Sequence, residues 1–163
     1  MIMWTEPTPA PKSEGFKMIN EHVKATGTLT IVKNGARHYH ADNLVVGTGL
    51  AFIAAKILEQ PADVMSHMAV GEGAANPNIS ETTLILEAGR VAFDSTAQVT
   101  TNVNNDSVQF VASFLAGVGT GALTEAGIFS AASGGTMLSR TAFPVVNKQA
   151  LDSISITWKI VIT

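Results

Sequence analysis

The chain has 163 residues, of which 46% are hydrophobic and 14% charged, with a formal net charge of −3. That length fits one domain burying about 70% of its unfolded surface, and a typical soluble domain carries roughly 25% charged residues, so this one has little charge with which to cover a solvated exterior. The charge balance gives no electrostatic footprint for nucleic acid. The absence of cysteine excludes disulfides, thiolate metal sites and cysteine nucleophiles. No apolar run approaches the ~20 residues of a membrane helix, and the first residues lack the charged start and apolar core of a signal peptide. A packing-dominated protein whose surface is partly buried in an assembly is the expectation.

Residues 1–20 read as an extended arm and 21–163 as a single β-rich domain. Met1, Ile2, Met3 and Trp4 form an apolar group, and Pro7, Pro9 and Pro11 follow in alternation with Thr8 and Ala10. Prolines at this spacing fix φ and disfavour helix, giving a semi-rigid polyproline-like spacer. An apolar anchor on such a spacer is expected to pack on a neighbouring subunit.

Residues 26–46 read as a β-hairpin around Asn34-Gly35, the preferred pair for a two-residue turn with φ > 0 at both positions. That turn pairs Val32 with Arg37, Ile31 with His38, Thr30 with Tyr39 and Leu29 with His40. Each face then mixes apolar and polar side chains, so the ribbon is expected to project or to lie at an edge. Arg37, His38, Tyr39 and His40 are its candidate partner contacts. His38 and His40 share a face at a spacing that can hold a metal, but no third ligand is specified nearby, and no metal site is expected. Gly47-Thr-Gly49 breaks the chain, with Thr48 as N-cap. A helix is predicted over about residues 50–60, with Leu50, Ile53, Ala54, Ile57 and Leu58 along one apolar stripe facing the core and Pro61 beyond its end.

Residues 65–70 read as a short strand, and 71–83 as a loop rich in turn formers. Gly71-Glu-Gly73 lacks the third glycine, the lysine and the following helix of phosphate-binding loops, so a turn is the expectation. Residues 84–101 and 107–115 read as two strands joined by the Asn-rich segment 102–106. Val108, Phe110, Ala112 and Phe114 share one face of the second. Gly117-Val-Gly-Thr-Gly121 reads as another loop, 123–130 as a short strand containing Glu125, and 131–136 as a tight turn. Residues 137–146 form a strand in which Pro144 requires an edge or an irregularity.

The last stretch, Ser153 to Thr163, is the plainest strand. Ile154, Ile156, Trp158, Ile160 and Ile162 fall at every second position, so they share one face. With Leu50, Ile53, Ile57, Phe110 and Phe114, the residues Ile156, Trp158 and Ile160 make up the expected core. The count indicates a mainly β fold, an antiparallel β-sandwich or jelly-roll-like domain with one short covering helix. No Gly-x-Ser-x-Gly elbow occurs. The carboxylates Glu72, Glu81, Glu87, Asp94, Asp106 and Glu125 come with no aromatic platform for a sugar. No catalytic residue, cofactor or metal is assigned, and the chain is not expected to be an enzyme.

An ordered series of short motifs resembles small virion structural proteins of tailed bacteriophages, either head decoration (cement) proteins or tail-associated β-rich proteins. The series runs through Gly27-Thr-Leu-Thr-Ile-Val-Lys-Asn-Gly35, Asn43-Leu-Val-Val-Gly-Thr-Gly-Leu50, Met68-Ala-Val-Gly-Glu-Gly73, Thr83-Leu-Ile-Leu-Glu-Ala-Gly-Arg90, Leu123-Thr-Glu-Ala-Gly-Ile-Phe129, Gly135-Thr-Met-Leu-Ser-Arg140 and the Trp158 strand. It covers residues 27–163 and leaves the arm outside. The resemblance implies a module located in the virion that binds other copies of itself and a major capsid protein or tail proteins. It implies no nucleic-acid or membrane partner. A capsid decoration protein is the leading expectation, a tail, baseplate or fibre-attachment component the alternative, and a host-glycan-binding module a third. Glu87, Arg90, Glu125 and Arg140 recur in the resembling stretches, and Arg90 with Glu87 or Glu125 is the expected structural ion pair.

Overall fold

A computed structural model describes residues 23–163; the arm residues Met1–Trp4, Pro7, Pro9 and Pro11 lie outside them. The described chain is mainly β, with one short helix, and its nine strands form a single antiparallel sheet. In chain order these are β1 (Ala25–Lys33), β2 (Ala36–Val45), α1 (Gly47–Ile57), β3 (His67–Gly71), β4 (Glu87–Ala92), β5 (Ser95–Val99), β6 (Ser107–Phe114), β7 (Gly121–Phe129), β8 (Met137–Lys148) and β9 (Ile154–Ile162). The order across the sheet is β4-β3-β7-β8-β2-β1-β9-β6-β5.

The two outermost strands are consecutive in sequence. Where residues 84–101 read as one strand, the chain instead crosses from one sheet edge to the other between Phe93 and Asp94. The Phe93 N–H donates to Ser66 O on the β3 side, and the next N–H, of Asp94, donates to Val111 O on β6. The sheet therefore curls until its edges nearly meet, and the two layers expected of a sandwich are two sides of one curled sheet. Phe93 stacks on Phe110 across the seam with ring centroids 4.9 Å apart.

β9 lies between β1 and β6. Ile154, Ile156, Trp158 and Ile160 are buried inside the curl with Leu29, Ile31, Phe110, Phe114, Leu123 and Ile128. Alternation on β9 thus supplies one side of the interior along nearly its whole length. A second, smaller core lies on the outer face of β3, β7 and β8, where Val46, Ala69, Leu84, Phe129 and Met137 pack beneath the segment between β3 and β4.

Asn34 and Gly35 both take positive φ (49° and 81°), as the hairpin turn demands. The pairing beyond the turn departs from expectation after one step. Val32 faces Arg37, but Ile31 faces Tyr39, Thr30 faces His40 and Leu29 faces Ala41. A β-bulge takes up one extra residue of β2, a shift that no turn type specifies. Pro144 sits where β8 also bulges, between the pairs Glu125↔Ala142 and Leu123↔Val146, in the part of the strand with no ladder to β2, which reaches only Arg140 and Ser139.

The helix corrects the sequence reading most. Its N-cap is Val46, without a side-chain cap bond; Thr48 lies inside the helix and donates its hydroxyl to Met137 O. Gly49 is the helix residue buried against the sheet, and a Cβ there would lie 1.9 Å from Leu138 O. Backbone thus packs on backbone at the first turn, and the helix leaves the sheet from that pin. Leu50 is consequently 47% exposed and Ile57 77% exposed, so neither belongs to the core. Ile53 is partly buried against it, and the remaining expected core residues, Phe110, Phe114, Ile156, Trp158 and Ile160, are buried.

Candidate interaction surface

The diverging helix opens an apolar groove of about 540 Å³ at one end of the curl. One wall is α1, through Phe52, Ile53 and Ile57, continued by Val64 and Met65. The other is the sheet, through Val108 and Phe110 of β6 and Ile160 and Ile162 of β9. The alternation that fills the interior with Ile154, Ile156, Trp158 and Ile160 carries on to the partly buried Ile162, so the end of β9's apolar face lines the groove. Lys56, the charged residue of the lining, turns its Nζ over the Phe52 ring at 5.5 Å and donates to Ala62 O. Ile57, Leu58 and Val64 are 77%, 71% and 69% exposed and extend the groove into an apolar rim. An exposed apolar surface of this kind is a candidate interaction surface in a way that scattered exposed apolar residues are not.

Opposite in character is the charged cluster on the outer face of β7 and β8. Glu125 and Arg140 are both fully buried and paired at 2.8 Å. The Glu125 carboxylate also accepts from the backbone N–H groups of Gly73, Ile85 and Leu86. Arg140 donates further to Glu81 and to Ala75 O. The pair thereby ties both ends of the 72–86 segment to the sheet. A Cβ on Gly73 would lie 2.5 Å from Glu125 Oε1, so the Gly-Glu-Gly turn serves an internal carboxylate through its backbone. With its acceptor sites taken, Glu125 supports the loop and does not face a cavity as an acid or base would.

Arg90 makes a bidentate pair with Glu87, donates to Ala131 O and Gly134 O, and lies over the Phe129 ring at 3.8 Å. Of the two partners named for Arg90 it takes Glu87, and Glu125 goes to Arg140. Glu81 joins as a third acid that sequence gave no reason to select.

Arg37, His38 and His40 are exposed on the hairpin, while Tyr39 is half-buried against Phe143, with ring centroids 6.2 Å apart. His40 Nδ1 lies 3.1 Å from Thr30 Oγ1. Among the described residues no three His, Cys, Asp or Glu side chains gather as a metal ion would require, and no helix is long and apolar enough to cross a membrane.

At the far end of the sheet, a clasp fastens the Asn34–Gly35 turn to the start of β9. Asp152 accepts from Asn34 Nδ2 at 2.7 Å and pairs with Lys33 Nζ at 2.8 Å, and Asn34 Oδ1 accepts from Ser153 N. The Lys33 ammonium and then the Asn34 amide hold the Asp152 carboxyl well below the usual carboxylate range. Beside this clasp Lys148 is buried and donates to Leu115 O, and burial pushes its pKa down.

The sequence missed the groove because it depends on where the helix axis points. Phe52 and Val64 carried no signal of their own, and the alternation that includes Ile162 marks a strand face without showing that its end is left uncovered. The signal that was available is Gly47-Thr-Gly49 in the first turn of an apolar helix, which permits a tight pin at one end only. Compared with known proteins, the chain matches no family model and no curated protein.

Proposed function

We propose that the chain is a non-enzymatic structural subunit of a tailed-phage virion, acting as a capsid decoration protein that binds the major capsid lattice as an oligomer. The observation that carries the reading is the apolar groove with its exposed rim of Ile57, Leu58 and Val64 on a chain with only 14% charged residues. Such a face is costly to leave in water at about 25 cal/mol per Å², and an assembly partner removes that cost. The ordered motif series of residues 27–163 supports the virion assignment. The rigid curled sheet, closed at its seam and latched over its outer face, is suited to a part that must hold shape while its neighbours press on it.

The test is to add the purified full chain to tailed-phage heads and separate bound from free protein by sedimentation. Co-sedimentation at hundreds of copies per particle is the expected result. A handful of copies located at the tail would replace decoration with a tail component. Absence from both head and tail would overturn the virion reading.

A further inference from the structure

We infer that the groove between α1 and the β6–β9 face receives residues Met1–Trp4 of a second copy of this chain. The inference deepens the reading as an assembly subunit and rests on it.

Three observations converge. First, the described chain starts beside the groove. Lys24 and Thr163 exchange backbone hydrogen bonds, and Ala25 pairs with Ile162, which itself lines the groove. The described chain therefore begins at the groove's mouth. Second, the residues before it carry an apolar group, Met1-Ile-Met-Trp4, that matches the lining in chemistry: an aromatic and unbranched methionines suit an irregular apolar cleft. Third, the spacer decides between the chain's own groove and a neighbour's. Pro7, Pro9 and Pro11 favour an extended stretch, and at about 3.1 Å per residue Glu6–Lys12 spans roughly 20 Å. A spacer with that expected reach favours a groove on a neighbouring copy over the chain's own groove, which begins where the described chain starts. Reaching a neighbour needs no reversal of the spacer. The same relation repeated by each copy joins subunits head to tail, and a ring results if the rotation closes.

The absence of cysteine allows a direct test on the full chain. Met3→Cys is made in one chain and Val64→Cys in another; Val64 is exposed on the rim, so the fold tolerates the change. The two purified chains are mixed, oxidised and digested, and the peptide joining positions 3 and 64 is sought by mass spectrometry. The expected result is that linked peptide in a dimeric product, with the yield falling at least tenfold when Ile57→Asp is added to the Val64→Cys chain. A chain carrying both cysteines that links only within itself would overturn the inference in favour of the chain's own groove. Absence of the linked peptide in both formats would overturn docking of the arm altogether. Co-sedimentation with heads by a chain that forms no such link would leave the virion reading standing and remove only this one.

Discussion

Arg140 Nε donates to Glu125 Oε2 across 2.8 Å, and neither side chain reaches solvent. The pair joins neighbouring strands on the outer face of the sheet and hands its remaining hydrogen bonds to the 72–86 segment. Removing one partner strands a buried charge, which typically costs about 3–5 kcal/mol. Arg140→Ala and Glu125→Ala should therefore each lower stability by about that amount in urea unfolding. Because the two share one network, the double variant should cost less than the sum of the singles. Additive losses would show that the two side chains act independently.

Trp158 is fully buried at the centre of β9, opposite Leu29 on β1 and Phe110 on β6. Trp158→Ala should cost about 3–5 kcal/mol, the range for removing a buried aromatic from a core that cannot collapse around the gap. Chemical denaturation measures this directly. A loss below about 1 kcal/mol, the scale of an ordinary point substitution, would place Trp158 outside the essential packing.

The helix separates pin from rim. Ile57→Ala should change stability by no more than about 0.5 kcal/mol, as for other surface sites. Gly49→Ala should destabilise far more, because its methyl would collide with the Leu138 carbonyl and lift the first helical turn from β8. Thermal melts of the two variants provide the comparison, and equal effects would contradict the one-ended attachment.

Asp152 gives the fold an acid-sensitive clasp. Its carboxyl titrates below the ordinary value of 3.8 in the folded chain, so the unfolded chain binds the proton more readily. The stabilisation is in full force above the unfolded value and is lost as pH falls below 3.8 toward the folded value. Melting temperature should drop over that range, and Asp152→Asn should flatten the drop. Asp106, lowered by Ser107 Oγ–H and the backbone N–H groups that follow Thr100, titrates in the same direction, so the slope in Asp152→Asn should shrink without vanishing. An unchanged slope would exclude the clasp as a contributor.

Much of the fold was legible because the period-two pattern is strong where strands are half-buried. β9, β6 and the Asn34–Gly35 turn follow from alternation and from the positive φ that turn needs. What was illegible depends on long-range geometry. Residues 84–101 look like one strand because nothing local marks the change of partner at Phe93 and Asp94. The stripe Leu50, Ile53, Ile57 has the period of a core-facing helix, and only the backbone contact at Gly49 turns Leu50 and Ile57 outward. Arg90 pairs locally with Glu87, whereas the Glu125–Arg140 pair gains Glu81 only because loop 72–86 carries it there.

The apolar groove is proposed as an interface between copies of this chain. Sedimentation equilibrium of the full chain beside Ile57→Asp measures it most directly. The native sequence is expected to self-associate, and Ile57→Asp to raise the dissociation constant about tenfold or more, equivalent to losing at least about 1.4 kcal/mol of association. A native chain that stays monomeric, or an Ile57→Asp chain that associates as tightly as the native one, would contradict it.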